Sequence, residues 1–239
     1  MYGVISTSLI SDGEEVEKIP EMKNLILDTG LTKKELKQRK VEIGTFLELE
    51  DDMSYLGCKD VIAGKALDDR VGCYILLELA RRLKNSKASI DFVFTVQEEI
   101  GLYGSKTSIY EIEPDWALAV DVTSADDSER HYHETTKQLG NGPCITVKDS
   151  KMISNVCIDS WLKEIAKKKK IPFQLDISET GTTDALSISM AKGGIPTAVV
   201  GVAVRNLHTG FGIANLKDIE NCVKLLVGLL RNPPKKCIV

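Results

Sequence analysis

Ser89-Ile90-Asp91-Phe92-Val93-Phe94-Thr95-Val96-Gln97-Glu98-Glu99-Ile100-Gly101 carries the strongest structural signal in the chain. Its β-branched and aromatic run, closed by two adjacent carboxylates and a glycine, predicts a buried strand over 90–97 that delivers acid groups to the carboxyl edge of a sheet. Open α/β sheets place their chemistry at that edge.

Working outward, two more stretches read the same way. Residues 116–120 form an apolar strand that stops at Asp121, and 196–204 form a third that is followed by Arg205 and His208. The pair Asp68-Asp69 opens a helix predicted from about Asp69 to Lys84, whose apolar face is Val71, Ile75, Leu76, Leu79, Ala80 and Leu83. Four such ends converging on one edge are most simply explained by a hard or borderline cation held by oxygen and imidazole.

Each candidate also has a plainer reading. Asp68 and Asp69 can cap a helix, Glu98-Glu99 can be an acidic turn, Asp121 can be a turn former, and His208 can be a surface histidine. Because successive strand residues point to opposite faces, however, Glu98 and Glu99 can divide labour between a metal and its water. His131 and His133 have the alternate spacing of ligands on one strand face, but their setting among Asp, Ser, Glu and Arg favours a solvated loop.

The 239 residues allow one ordinary core plus a small appendage, and a formal charge of −4 gives no footprint for nucleic acid. Six cysteines without CxxC spacing read as reduced, buried thiols. With no basic-apolar leader and no run long enough to span a bilayer, a cytoplasmic protein without membrane contact is expected. HExxH, GxSxG and P-loop signatures are absent.

Residues 1–63 differ from the rest. Short β-like pieces (3–9, 24–27, 45–49) alternate with charged turns, and a polar helix over 32–38 has a capping box from Thr32 to Glu35. That is too little apolar surface for an independent domain. From Gly64 the chain alternates helix and strand: an amphipathic helix over 154–170, a strand-like 171–177, a helix led in by 180–184, the strand at 196–204 and a last helix over 216–230. The expected class is a layered α/β domain with a mixed sheet.

The motifs Gly64-Lys65-Ala66-Leu67-Asp68-Asp69-Arg70-Val71-Gly72, Gln97-Glu98-Glu99-Ile100-Gly101, Ala119-Val120-Asp121-Val122-Thr123 and Val204-Arg205-Asn206-Leu207-His208 resemble those of the two-metal aminopeptidases that include glutamyl aminopeptidase and the TET peptidases. Leu139-Gly140-Asn141-Gly142-Pro143 and Thr183-Asp184-Ala185 match further motifs, and the resemblance covers about residues 24–231. It implies a metallopeptidase-type α/β/α domain at 64–239 and a partial PDZ-like β domain at 1–63. It also implies two divalent metals, zinc or cobalt, bridged by Asp68 with Glu99, Asp121 and His208 as terminal ligands, and Glu98 as general base with Asp69 in the turn beside Asp68. Thr183, Asp184 and Arg205 fall to substrate binding.

Peptides are the implied substrates, and a dodecameric homo-oligomer the implied assembly. Family members begin with a further segment carrying a His-x-Asp motif, whereas no histidine here precedes residue 131. Expected consequences are incomplete metal occupancy, a separate amino-terminal fragment as partner, or a silent subunit that keeps the fold. Thr182 and Asn206 replace a glycine and an aromatic that are usual in the family. Glycoside hydrolysis, suggested by the cellulase label some family sequences have carried, needs two carboxylates about 5–9.5 Å apart and leaves Asp68, Asp121 and His208 unused.

Overall fold

The computed structural model describes residues 1–7, 21–50, 53–84, 86, 88–128, 137–231 and 233. It divides into two units, Met1–Glu48 and Leu49–Val239.

In the first unit, β1 (Val4–Thr7) pairs antiparallel with β2 (Leu25–Asp28), and α1 (Lys33–Gln38) follows. The capping box is present: the Glu35 amide donates to Thr32 Oγ1 and the Thr32 amide to Glu35 Oε2. None of the described residues of this unit is buried, as expected of a two-stranded piece with no packed face. The strand expected at 45–49 does not form.

The second unit begins earlier than the expected break after residue 63. Its first strands, β3 (Ser54–Tyr55) and β4 (Val61–Gly64), are ladder partners within the main sheet, β4 pairing with β9 (Gly212–Asn215). That seven-stranded sheet runs β3-β4-β9-β8-β6-β7, where β6 is Cys144–Lys148, β7 Gln174–Ile177 and β8 Thr197–Arg205. β5 (Ala117–Ser124) lies parallel to β8 along its whole length. One edge of β8 therefore carries β5, and the other carries β6 and β9, both antiparallel.

β8 is covered on both faces. Ala198, Val200, Val202 and Val204 pack into the main core with α2 (Leu67–Arg82), α4 (Val156–Lys169) and α6 (Leu216–Arg231), while Val199 meets Ala119, Met152 and Ala185 of α5 (Asp184–Ser189) on the opposite face. Every residue of β8 but the last is buried, each large side chain contributing about 1.5–3 kcal/mol. This is the layered, mixed-sheet domain the sequence predicts.

The 90–97 strand is not formed. Residues 89–95 join no ladder, and Phe94 and Val96 are 50% and 69% exposed. β5, by contrast, runs past the predicted stop at Asp121, because β8 continues to offer partners from Asp121↔Gly201 to Ser124↔Val204. Cys144 and Cys222 are buried, as expected, but Cys58 and Cys73 are exposed. Cys157 is disulfide-bonded, a departure from the expectation of reduced thiols.

Candidate metal and catalytic site

The site forms where the loops after 89–97 and β8 meet the start of α2. The regular part of that helix begins only at Arg70, since Asp68 and Asp69 have non-helical backbone angles. Asp69 Oδ1 accepts from the Gly72 amide at 2.8 Å, so the plain helix-cap reading of Asp69 is realised. Gly72 is required here. A Cβ would lie 2.2 Å from the Asp69 carboxylate and 2.7 Å from the Val120 carbonyl oxygen.

At the end of the 89–97 stretch the Glu98 carbonyl accepts from the amides of Gly101 and Leu102. That tight turn lifts Glu98 and Glu99 ahead of α3 (Tyr103–Ser108). After β8, the loop through His208 returns to β9.

These segments bring Asp68, Glu99 and His208 together, with one donor atom from each lying within 4.8 Å of the others. His208 Nε2 is 3.4 Å from Asp68 Oδ2 and 3.9 Å from Glu99 Oε2. Glu98 and Asp121 join Asp68, Glu99 and His208 in lining one chamber of about 650 Å³. Its farther wall is rich in hydroxyls, among them Thr123, Thr146, Thr180, Thr182 and Thr183. No lysine or arginine lines it among the described residues.

Crowding shows in the titration of these groups. Burial, and then the Glu99 carboxylate, push Asp68 up to about 6, with His208 opposing. Burial, and then the charge of Asp121, push Glu98 up to about 8. Asp69 is raised by burial and by Asp121, and Asp121 is raised by burial against the Val122 amide it accepts from. Two carboxylates and an imidazole within ligand reach, on a wall of further carboxylates, form a donor set suited to a borderline divalent cation.

The remaining candidates lie around this centre. Thr183 faces the chamber and caps α5. Asp184 accepts from Thr95 Oγ1 at 2.6 Å and from Ser105 Oγ at 2.5 Å, tying the 89–97 stretch and α3 to α5. Arg205 makes a two-pronged pair with Asp127 at 2.7 and 2.8 Å and does not line the chamber. His131 and His133 lie outside the described residues.

Two features escaped the sequence reading. Lys137 pairs with Asp176 at 2.9 Å, both buried, and Asp176 also accepts from the Thr123 and Thr146 hydroxyls of the chamber wall. Asp218, fully buried, accepts from the amides of Gly140 and Gly142, so the Leu139–Pro143 motif is tied to the start of α6. The paired glycines were the available signal, since they let a backbone approach a carboxylate closely.

The site is two carboxylates and a histidine gathered beside a mixed α/β sheet. The chain belongs to the M42 glutamyl aminopeptidase family, whose profile matches residues 1–225. It is 41% identical to a putative aminopeptidase of Acetivibrio thermocellus, over 88% of this chain and 64% of that protein. Among solved structures it is similar to the aminopeptidase APDkam598 of Desulfurococcus kamchatkensis, with TM-score 0.90 and 35% identity over 96% of this chain and 65% of that one. It is also similar to the TET1 peptidase of Pyrococcus horikoshii, which can assemble into a tetrahedron or a large octahedral shell, with TM-score 0.84 and 27% identity over 96% and 68%. The chain thus spans about two thirds of these relatives' length.

Proposed function

We propose that this chain carries the greater part of a two-metal aminopeptidase that releases amino-terminal residues from peptides. The observation that carries the reading is the meeting of Asp68, Glu99 and His208 within 4.8 Å on the chamber that Glu98 and Asp121 also line.

Asp68, Glu99 and His208 would hold one divalent ion, zinc or cobalt. Asp68, shared with Asp121 across the chamber, would serve a second. Bound there, such ions lower the pKa of a coordinated water and stabilise the oxyanion that develops on a scissile carbonyl. Glu98, on the same chamber, would take a proton from the attacking water and return it to the leaving amine. Asp69 fixes the start of α2 and so the aim of Asp68. Asp184 positions the turn that carries Glu98 through its bonds to Thr95 and Ser105, and Thr183 and the neighbouring hydroxyls face the space a substrate side chain would enter. Arg205, paired with Asp127, anchors the connection after β5.

A second reading has its own observation. The chain covers 64% of the Acetivibrio thermocellus relative, and its three histidines are His131, His133 and His208. With His208 the one imidazole lining the chamber among the described residues, a thin donor set would hold metal weakly, which fits a subunit that keeps the fold and turns over poorly. Association with further copies of itself, as for the TET1 peptidase, is part of the proposal.

Zinc and cobalt titration combined with turnover of amino-acid anilides and short peptides separates the readings. Metal-dependent release of amino-terminal residues, abolished in Glu98→Gln without loss of metal, supports the peptidase. Metal binding without turnover supports the silent subunit, and turnover of a cellulosic substrate alone would remove both.

A further inference from the structure

The chamber is charged at both ends. Asp68, Glu98, Glu99 and Asp121 stand at the metal end, and the far wall, built by β6, β7 and the loop 178–183, adds Asp149 and Asp176 among its hydroxyls. Strand register sets the distance between the two ends. Asp121 lies opposite Gly201 and Thr146 opposite Val199 on the other edge of β8, so Thr146 is two strands over and two residues along from Asp121, roughly 12 Å. A long side chain spans that gap and a short one does not.

The two carboxylates of the far wall differ in what answers their charge. Asp176 is matched by the buried Lys137 ammonium at 2.9 Å. Asp149, 5% exposed, makes no ion pair among the described residues. Its Oδ1 accepts from the amides of Lys151 and Met152, both at 2.7 Å, which is the plain turn-forming role of an aspartate. Its Oδ2 accepts from Thr182 Oγ1 at 3.0 Å. An ionised carboxylate offers about four acceptor positions, so one remains on Oδ2, beside the chamber-lining Thr182. Thr182 stands where the resemblance expects a glycine, which has no hydroxyl to give.

We infer that Asp149, held in place by Thr182, is the specificity residue of this chamber and selects peptides whose amino-terminal residue has a long cationic side chain, lysine or arginine, over those that begin with glutamate. The inference rests on the peptidase reading for where the substrate's amino terminus sits. Two divalent ions bound as proposed are balanced by the four carboxylates of the metal end, and Lys137 is spent on Asp176. Asp149 then leaves the far wall with one unanswered negative charge. No lysine or arginine lines the chamber among the described residues, so an acidic side chain finds hydroxyls and like charge there. An ammonium or guanidinium finds the free position of Asp149, in a recess where charge is screened less than on an open surface.

Two measurements on the full chain loaded with zinc test it. Calorimetry with the hydroxamates of lysine, leucine and glutamate reads binding without turnover, and lysine hydroxamate is expected to bind at least tenfold more tightly than glutamate hydroxamate. The matching anilides read kcat/KM, with the same order expected. Asp149→Asn should lower the lysine-to-leucine ratio at least tenfold in both measurements, and Thr182→Val, which keeps the shape and loses the hydroxyl, at least twofold. Glutamate bound or cleaved as well as lysine, no binding of any hydroxamate, or an equal loss for lysine and leucine in both variants would each overturn the assignment. The last result would mark Asp149 as a turn former alone. Lysine-selective binding with every anilide left intact removes the peptidase reading and leaves Asp149 as the selector, whereas turnover that favours glutamate does the reverse.

Discussion

Two stretches of this chain are written alike and end differently. Residues 196–204 and 90–97 are both β-branched and apolar, and both lead into candidate ligands, yet β8 is a buried strand and 90–97 is a half-exposed segment without strand pairing. The difference lies in their neighbours. β8 has β5 on one edge, β6 and β9 on the other, and helices on both faces, whereas 90–97 has a helix-bearing face and no ladder. A strand is a relation between segments, and local composition supplies only one side of it.

Hydrogen exchange tests this contrast at its widest. In the isolated chain the central amides of β8 should open only with global unfolding, giving protection of roughly 10⁴ or more, while those of residues 90–94 exchange near the unprotected rate. Comparable protection in both would break the comparison. Next in size, Val200→Asp places a charge where exposure is 0% and should cost about 4 kcal/mol or more, against about 0.5 kcal/mol or less for Val96→Asp at its open position. Denaturant melts of the two variants measure both.

The well-paired side of the sheet supplies the third effect. Lys137→Met leaves Asp176 buried without its cation and should lower stability by about 3 kcal/mol, with Lys137→Met/Asp176→Leu recovering much of it. The fourth concerns the open side. Glu98 and Asp68 titrate in the folded, metal-free protein at about 8 and about 6, above unfolded values near 4.3 and 3.9. The folded state then binds more protons than the unfolded one, so the stability these groups contribute is full below about pH 4 and is lost as pH rises to about 8. The loss should be ~2 kcal/mol after solvent screening. Thermal melts from pH 5 to 8 should fall without metal and flatten when zinc or cobalt is added.

The same contrast shows how far the sequence could be read. The helices were legible, because α2, α4 and α6 each bury a continuous apolar face, and so were Asp68, Glu98, Glu99, Asp121 and His208, because each follows or precedes a strongly periodic segment. β4 and β9, four residues each, are too short to show a period, and their pairing joins residues far apart in sequence. The true extent of β5 depended on β8 continuing beside it. The resemblance assigns Arg205 to substrate binding, and its pairing with Asp127, 78 residues away, leaves no local signal. The buried pair Lys137–Asp176 was hidden in the same way.

Everything proposed for this chain turns on Asp68, Glu99 and His208, with Glu98 and Asp121 beside them, binding a divalent metal. Zinc and cobalt affinity measured by chelator competition on the native chain and on His208→Ala tests it most directly. At least one bound ion is expected in the native protein, and at least tenfold weaker binding in the variant. Equal affinity in the two, or no ion bound by either, would contradict it.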